Sequence, residues 1–334
     1  MDLTGPDAGA VEGLAATIAA AESVVPVGAR TQWEVGNPTT ARTEVAAPAG
    51  VTRYEPEDLT ITVGAGTSFE TLDAALAAHG QECPLDPRDR AATIGGIVGC
   101  GLSGIRRLRH GPLREHVLEV RFVTAEGRLV KGGGQTVKNV TGYDLPRLLV
   151  GSFGTIGVLV QLTLRCRPRA ECARWYRVDE PTEPNRPDLY RAAAMLWDGN
   201  TTHVLLEGVR ADVDAQSGGL PAGDPPSLPA GAHRGRVSVA PGTVAAVGRA
   251  LDAVPGARWC AELGIGTVHV AGDDSSVLEG ARAVAHEHGG WLLREAGGAD
   301  LDGFGCELPN TELMRRVKVA FDPTGKLAPG RLPL

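Results

Sequence analysis

The sequence predicts an α+β protein: a glycine-rich amino-terminal unit, a second α+β unit of ferredoxin-like order, and a short returning tail. Three observations carry this. Short β-branched strands alternate with Ala-rich helices up to about residue 168. Glycine-rich loops become rare after Arg165-Cys166-Arg167-Pro168. Between Val237 and Arg294 the elements run β-α-β-β-α-β, the split ferredoxin-like pattern. The expected units are 1–168, 169–310 and 311–334, and a chain of 334 residues has room for two domains.

Taken in order, Val11 to Glu22 is Ala-rich and helical, and Ser23 to Val27 is a short apolar strand running into Gly28. Leu59 to Val63 is a β-branched strand ending in Gly64-Ala65-Gly66. Thr67 and Glu70 have capping-box spacing. The helix they start carries Phe69, Leu72 and Leu76 on one face and has Gly80 at its end. Val117 to Thr124 and Arg128 to Lys131 form a hairpin around Ala125-Glu126-Gly127. Leu159 to Cys166 alternates, with Val160, Leu162 and Leu164 expected on one face. Residues 212–235, rich in Gly, Pro and Ala, read as a long loop. Val237 to Ala240, Arg258 to Leu263, Thr267 to Ala271 and Trp291 to Arg294 are strands. Two helices follow from Val244, Val247, Leu251 and Val254, and from Val277, Leu278, Ala281, Val284 and Ala285. Leu313 to Phe321 is a closing helix.

Composition excludes several classes. Hydrophobic residues are 43% and charged residues 22%, the balance of a soluble globular protein rather than a disordered one. A net charge of −7 argues against nucleic acid. Met1 to Asp7 has neither a basic start nor an apolar core, so no secretory signal is expected. The uncharged run Ala91 to Ile105 falls short of the ~20 apolar residues of a membrane helix. A cytoplasmic protein is expected. Cys83, Cys100, Cys166, Cys172, Cys260 and Cys306 form no C-x-x-C pair and fit no zinc or iron–sulfur spacing, so reduced thiols and no metal site are expected.

Glycine, 45 residues, is in excess. Gly99-Cys100-Gly101-Leu102-Ser103-Gly104 matches G-x-G-x-x-G, but Arg106-Arg107-Leu108-Arg109-His110-Gly111-Pro112 follows where a helix should open, so the nicotinamide reading fails. Arg106, Arg107, Arg109 and Arg114 read as a solvated or ligand-facing loop. Gly-rich clusters stand at Thr93 to Gly99, Lys138 to Leu145 and Gly151 to Val158, after an earlier loop Gly28-Ala29-Arg30-Thr31-Gln32. Successive backbone N–H groups in such loops form anion-binding concavities, and several of them suit one long ligand with a central pyrophosphate. The alternative is glycine used only for turns.

In the order and spacing of these loops the sequence resembles FAD-binding domains of the PCMH (vanillyl-alcohol oxidase / p-cresol methylhydroxylase) type. More narrowly, it resembles the small flavin-binding subunits of bacterial glycolate oxidases. The resemblance runs from Val25 to Pro168, through Tyr54 to Leu59, Val63 to Thr67, Ala92 to Gly96, Gly101 to Gly104, Lys138 to Leu145 and Gly151 to Val158. It resumes at Phe321-Asp322-Pro323 and Pro329-Gly330-Arg331. It implies a two-subdomain FAD-binding domain, then a cap, with the tail returning to the FAD domain. Carried across by position, Gly28, Ala29, Arg30, Thr31 and Gln32 form the pyrophosphate loop. Pro84, Leu85, Thr93, Gly95 and Gly96 line the flavin and ribityl region, with Gly101, Ser103 and Gly104 on the same wall. Gly157 and Val158 belong to the adenine end. Ala29 and Arg30 depart from the usual glycine, and a Cβ at positive φ costs roughly 1 kcal/mol. No His stands in that loop, so the implied FAD is noncovalent, and Cys100 is not expected to be a tether.

Oxidising a 2-hydroxy acid needs a cation for the carboxylate, a base for the hydroxyl proton and an acceptor for the hydride. His269, in Val268-His269-Val270-Ala271-Gly272-Asp273, is the one catalytic candidate, with no second His close after it; it points away from Val268 and Val270, either into the cleft or, the reading favoured, onto a polar face or subunit contact. His203 is weaker, and Tyr143 is either a flavin neighbour or a packed aromatic. The resemblance implies an FAD-binding subunit of a glycolate-oxidase-like 2-hydroxy-acid dehydrogenase. Its partners would be a catalytic FAD subunit and an iron–sulfur subunit, with peripheral membrane association through the complex. A self-sufficient FAD-dependent 2-hydroxy-acid dehydrogenase and a flavin-free scaffold stay open.

Overall fold

The computed structural model describes residues 8–134, 143–179 and 189–334. The first helix, α1 (Ala8–Ala20), buries Val11, Leu14 and Ile18, a spacing of three and four that keeps one stripe inward. Next, β1 (Val24–Pro26) pairs in parallel with β2 (Thr43–Val45). Then come β3 (Val51–Glu55), β4 (Thr60–Gly64), α2 (Phe69–Ala77) and β5 (Gln81–Glu82). The cap of α2 is Ser68, whose hydroxyl takes the Thr71 N–H. The expected Thr67–Glu70 box does not form, because Thr67 Oγ1 accepts from Gly50 N–H and donates to the Gly64 carbonyl.

Helix α3 (Ile94–Cys100) is capped by Thr93, whose Oγ1 accepts from Gly96 N–H at 3.2 Å, and it stops at Gly101 with φ +71°. The G-x-G-x-x-G stretch therefore closes a helix instead of opening one. The unit continues with α4 (Arg107–His110), β6 (Val117–Val123), β7 (Leu129–Gly133), α5 (Leu145–Leu149), β8 (Val158–Arg165) and β9 (Arg167–Pro168). An antiparallel sheet runs β3-β4-β8-β6-β7. Its two faces hold separate cores, one around Ile61, Leu72, Ile97 and Leu162, the other around α1 and Val158. Val160 does not share a face with Leu162 and Leu164. The pairing with β6 slips between Arg121 and Phe122, so Val160 turns to the α1 side.

The second unit contains β10 (Cys172–Asp179), β11 (Ala194–Trp197), β12 (Thr201–Gly208), α6 (Arg210–Ser217), β13 (His233–Ser238), α7 (Val244–Leu251), β14 (Arg258–Glu262), β15 (Thr267–Gly272), α8 (Ser276–Glu287) and β16 (Trp291–Ala296). Its sheet runs β10-β12-β11-β14-β15-β13-β16, so a ferredoxin-like β14-β15-β13-β16 core is widened by three strands. The expected loop over 212–235 begins as α6. Only Val213 of that helix is buried, so it shows no apolar stripe in the sequence. Helices α7 and α8 pack on the face holding Trp197, Val237, Val268 and Leu292. From the other face Glu207 and Arg236 reach the first unit. Last, α9 (Thr311–Phe321) lays Val317 and Phe321 on the first unit's core. The tail then joins β1, where Ala328 N–H meets the Val24 carbonyl at 2.7 Å. Among the described residues no helix is long and apolar enough to cross a membrane.

Candidate functional site

A cleft of about 860 Å³ opens where the loops after β1, β4, α3 and α5 converge. Gly28, Arg30, Thr31 and Gln32 line it, with Thr93, Gly95, Gly96 and Gly157. So do Trp33, Cys100, Ser152, Phe153 and Gly154, and Arg331 from the tail. Among the described residues nothing accepts from the backbone N–H groups of Gly28 through Gln32. Five consecutive amides are thus left for an anion. Gln32 Oε1 and Ser152 Oγ are buried without a hydrogen-bond partner among the described residues. Arg30 adopts φ +59°, the left-handed conformation in which a side chain is strained. Its guanidinium pairs with Glu44 and lies 4.7 Å from the Trp33 ring centre. Arg331 covers the same ring at 4.5 Å and donates to the Trp33 and Asn37 carbonyls. Burial pushes the Cys100 thiol up to about 12, against Arg331, so it is a protonated, unreactive thiol.

Beside Cys100 the cap presents a charged sheet face. Arg236 donates to Glu295 at 2.8 Å and to the Ser103 carbonyl at 3.0 Å. Burial alone would raise the Glu295 carboxyl, but Arg236, His269 and Arg88 hold it below the usual carboxylate range. His269 is 1% exposed; its Nε2 lies 2.7 Å from Glu262 Oε1, and its Nδ1 is buried without a partner. It does not line the cleft itself.

A second polar cluster closes the seam between the two sheets. Arg106 forks onto Asp86 at 2.7 and 3.0 Å and reaches Glu82 and Glu207. Arg109 donates to the Glu207 carbonyl, and His110 joins Glu207 to Arg167. The loop expected to be solvated or ligand-facing divides: Arg106 is tied into carboxylates and half-buried Arg109 into a carbonyl, while Arg107 and the exposed Arg114 line another pocket. Glu82, His110 and Glu207 place ligand atoms within 4.8 Å of one another, a metal-like spacing spread too widely in sequence to be read there. In this fold Arg106 and Arg167 supply the positive charge.

Residues 8–133 match the model of a family described as an FAD binding domain. In this stretch the chain is similar to that family, in agreement with the PCMH-type resemblance of its loops. The chain is 41% identical over 145 residues to "Glycolate oxidase subunit GlcE" of Escherichia coli, 42% of this chain and 41% of that protein. It is 42% identical over 106 residues to a "D-lactate dehydrogenase" of Archaeoglobus fulgidus, 32% of this chain and 24% of that one. It is 34% identical over 122 residues to "Glycolate oxidase subunit GlcD" of Bacillus subtilis, 36% of this chain and 26% of that one. The matches span less than half the length of each relative. In fold the chain is similar to an alkyldihydroxyacetonephosphate synthase, with a TM-score of 0.64, 12% identity, and coverage of 95% of this chain and 74% of that one.

The residues that line the cleft fit FAD on their own chemistry. The free amides of residues 28–32 suit the diphosphate, and the orphaned Gln32 Oε1 and Ser152 Oγ await polar partners. Other expected residues lie elsewhere. Ala29 is exposed outside the cleft lining, and Pro84 and Leu85 are buried in the domain. Gly101 and Ser103 line the other pocket, and Gly104 packs against Asp86. Val158 is fully buried in the β8–β6 ladder. His203 sits 3.5 Å from Asp198, and Tyr143 is 91% exposed. Residues 138–142 of the Lys138–Leu145 stretch lie outside the described residues. Among the cleft residues missed from sequence are Trp33, Ser152, Phe153, Gly154 and Arg331. The quoted Gly151–Val158 and Pro329–Arg331 stretches carried a signal for all but Trp33.

Proposed function

We propose that this chain is the FAD-binding subunit of a glycolate-oxidase-like 2-hydroxy-acid dehydrogenase, supporting or relaying electrons beside a catalytic flavin subunit and an iron–sulfur subunit. The observation that carries it is the cleft lined by the loop of unpaired amides at residues 28–32 and two buried orphan oxygens, next to a sheet face on which His269 is buried against Glu262. When bound, FAD supplies the hydride acceptor. The loop after β1 holds its diphosphate noncovalently. Arg88, beside the Arg236–Glu295 pair, is the cation that this face offers a carboxylate. Glu262 fixes an Nε2–H tautomer on His269, which leaves Nδ1 as the proton acceptor. Among the described residues no metal-type group forms around His269, so the reaction set is incomplete without a partner. Such a complex sits at the inner face of the membrane through its partners.

A second reading, a self-sufficient FAD-dependent 2-hydroxy-acid dehydrogenase, is favoured by the unpaired Nδ1 of His269. One experiment separates the readings. The purified chain is scanned for flavin absorption, assayed with glycolate and D-lactate and an artificial acceptor, and co-purified with its neighbouring gene products. Flavin released by mild denaturation, slow turnover alone and a stable complex are expected. Brisk turnover of the lone chain, lost in His269→Ala, promotes the second reading. A colourless chain that takes up no added FAD leaves only a scaffold.

A further inference from the structure

A second pocket, of about 790 Å³, lies beyond the carboxyl end of α3. It shares no lining residue with the FAD cleft, although the same two segments build both. Residues 99–100 and 152–154 face the cleft, and Gly101, Ser103, Val150 and Gly151 face this pocket. The division falls where Gly101 and Gly151 touch, so closely that a Cβ on Gly101 would stand 2.7 Å from Gly151 Cα.

The charge of this pocket is unbalanced. Arg107, Arg114 and Arg147 line it, and none of its lining residues is acidic. Among the described residues neither Arg107 nor Arg114 makes an ion pair, and Arg147 meets only Asp144, at 3.6 Å on an exposed surface. Arg106, Arg236 and Arg258, by contrast, are matched to carboxylates. Two unmatched guanidinium groups, and a third held only loosely by Asp144, stand around one concavity, and each carries a planar fork that grips an oxyanion at two points. Ser103 Oγ accepts the Leu113 N–H at 3.1 Å, which leaves its own O–H to donate. Pro112, Leu113 and Val150 add apolar surface for a carbon skeleton.

We propose that this pocket binds a small organic acid bearing two or more carboxylate or phosphate groups, at a site separate from the FAD cleft. Arg107 and Arg114 are its anchors, and Arg147 closes on a second oxyanion.

The test titrates the flavin-loaded protein calorimetrically with propane-1,2,3-tricarboxylate and, separately, with inorganic phosphate, at fixed ionic strength. Saturable one-to-one binding is expected, weakened at least tenfold by Arg107→Gln or Arg114→Gln with flavin absorption unchanged. The tighter of the two probes tells carboxylate from phosphate as the natural group. Should the glutamine variants lose flavin, Arg107→Lys and Arg114→Lys keep the charge without the fork, and weaker binding is again expected. Saturation by neither probe overturns the proposal, as does equal affinity in the Arg107→Gln/Arg114→Gln double variant. Variants that bind no probe differently yet no longer join the partner subunits make the pocket a protein contact, which also overturns it.

Discussion

His116 is 6% exposed, with no partner for its Nε2. Burial lowers its basicity, Glu115 and Asp86 oppose that, and Arg165 and Arg106 add to it. The folded chain therefore prefers a neutral ring, while the unfolded chain binds a proton near the ordinary value of about 6.5. Stability is full above that value and drains as pH falls through the folded one, because the unfolded state then holds more protons. The thermal midpoint should drop between pH 7 and pH 5.5, and His116→Gln should flatten that part of the profile. Parallel profiles for the two proteins would assign the acid sensitivity to other groups.

Elements set the cleft through their ends. A Cβ on Gly28 would stand 2.2 Å from Thr93 Oγ1, the atom that caps α3. Gly28→Ala should therefore cost roughly 1 kcal/mol of stability through the lost cap. It should also weaken FAD about tenfold, equivalent to ~1.4 kcal/mol. Ala29→Gly, outside the cleft lining, should change neither; midpoint and flavin-fluorescence titrations read both. The same elements show what a sequence can hold. Where burial follows a simple period, as in α7 with Val244, Val247 and Leu251, the pattern is legible. The β-α-β-β-α-β order was legible for that reason, and the placing of Gly28, Arg30, Thr31 and Gln32 at a cleft because glycine-rich turns after a strand mark where backbone is left open. Val160 was not, since its facing is decided by the slip against β6, a property of two strands. Arg331 escaped because its carbonyl partners at Trp33 and Asn37 lie almost 300 residues away along the chain. Arg106 looked solvated because Glu82, Asp86 and Glu207 converge on it only after the sheets meet.

At the scale of the whole molecule, the Arg106 cluster holds the two sheets together. Burial opposes its charge, but Asp86, Glu82 and Glu207 outweigh that and keep the guanidinium protonated. Arg106→Met would leave those carboxylates facing one another in the seam, at a cost of about 3–5 kcal/mol. Calorimetry should show an earlier melt that separates into two transitions; one unshifted transition would mean that the seam is held by other contacts. The returning tail has a different consequence, one of time. Arg331 and the strand-like contact of Ala328 with Val24 finish the cofactor cleft, yet the whole cap stands between them and Arg165 in the order of synthesis. At roughly 5–20 residues per second, a ribosome needs on the order of 10 s to cross that interval. Throughout it the nascent first domain waits with an open cleft and a bare β1 edge. Flavin capture is therefore expected only after Ala328 and Arg331 have been made, the cleft standing open until then.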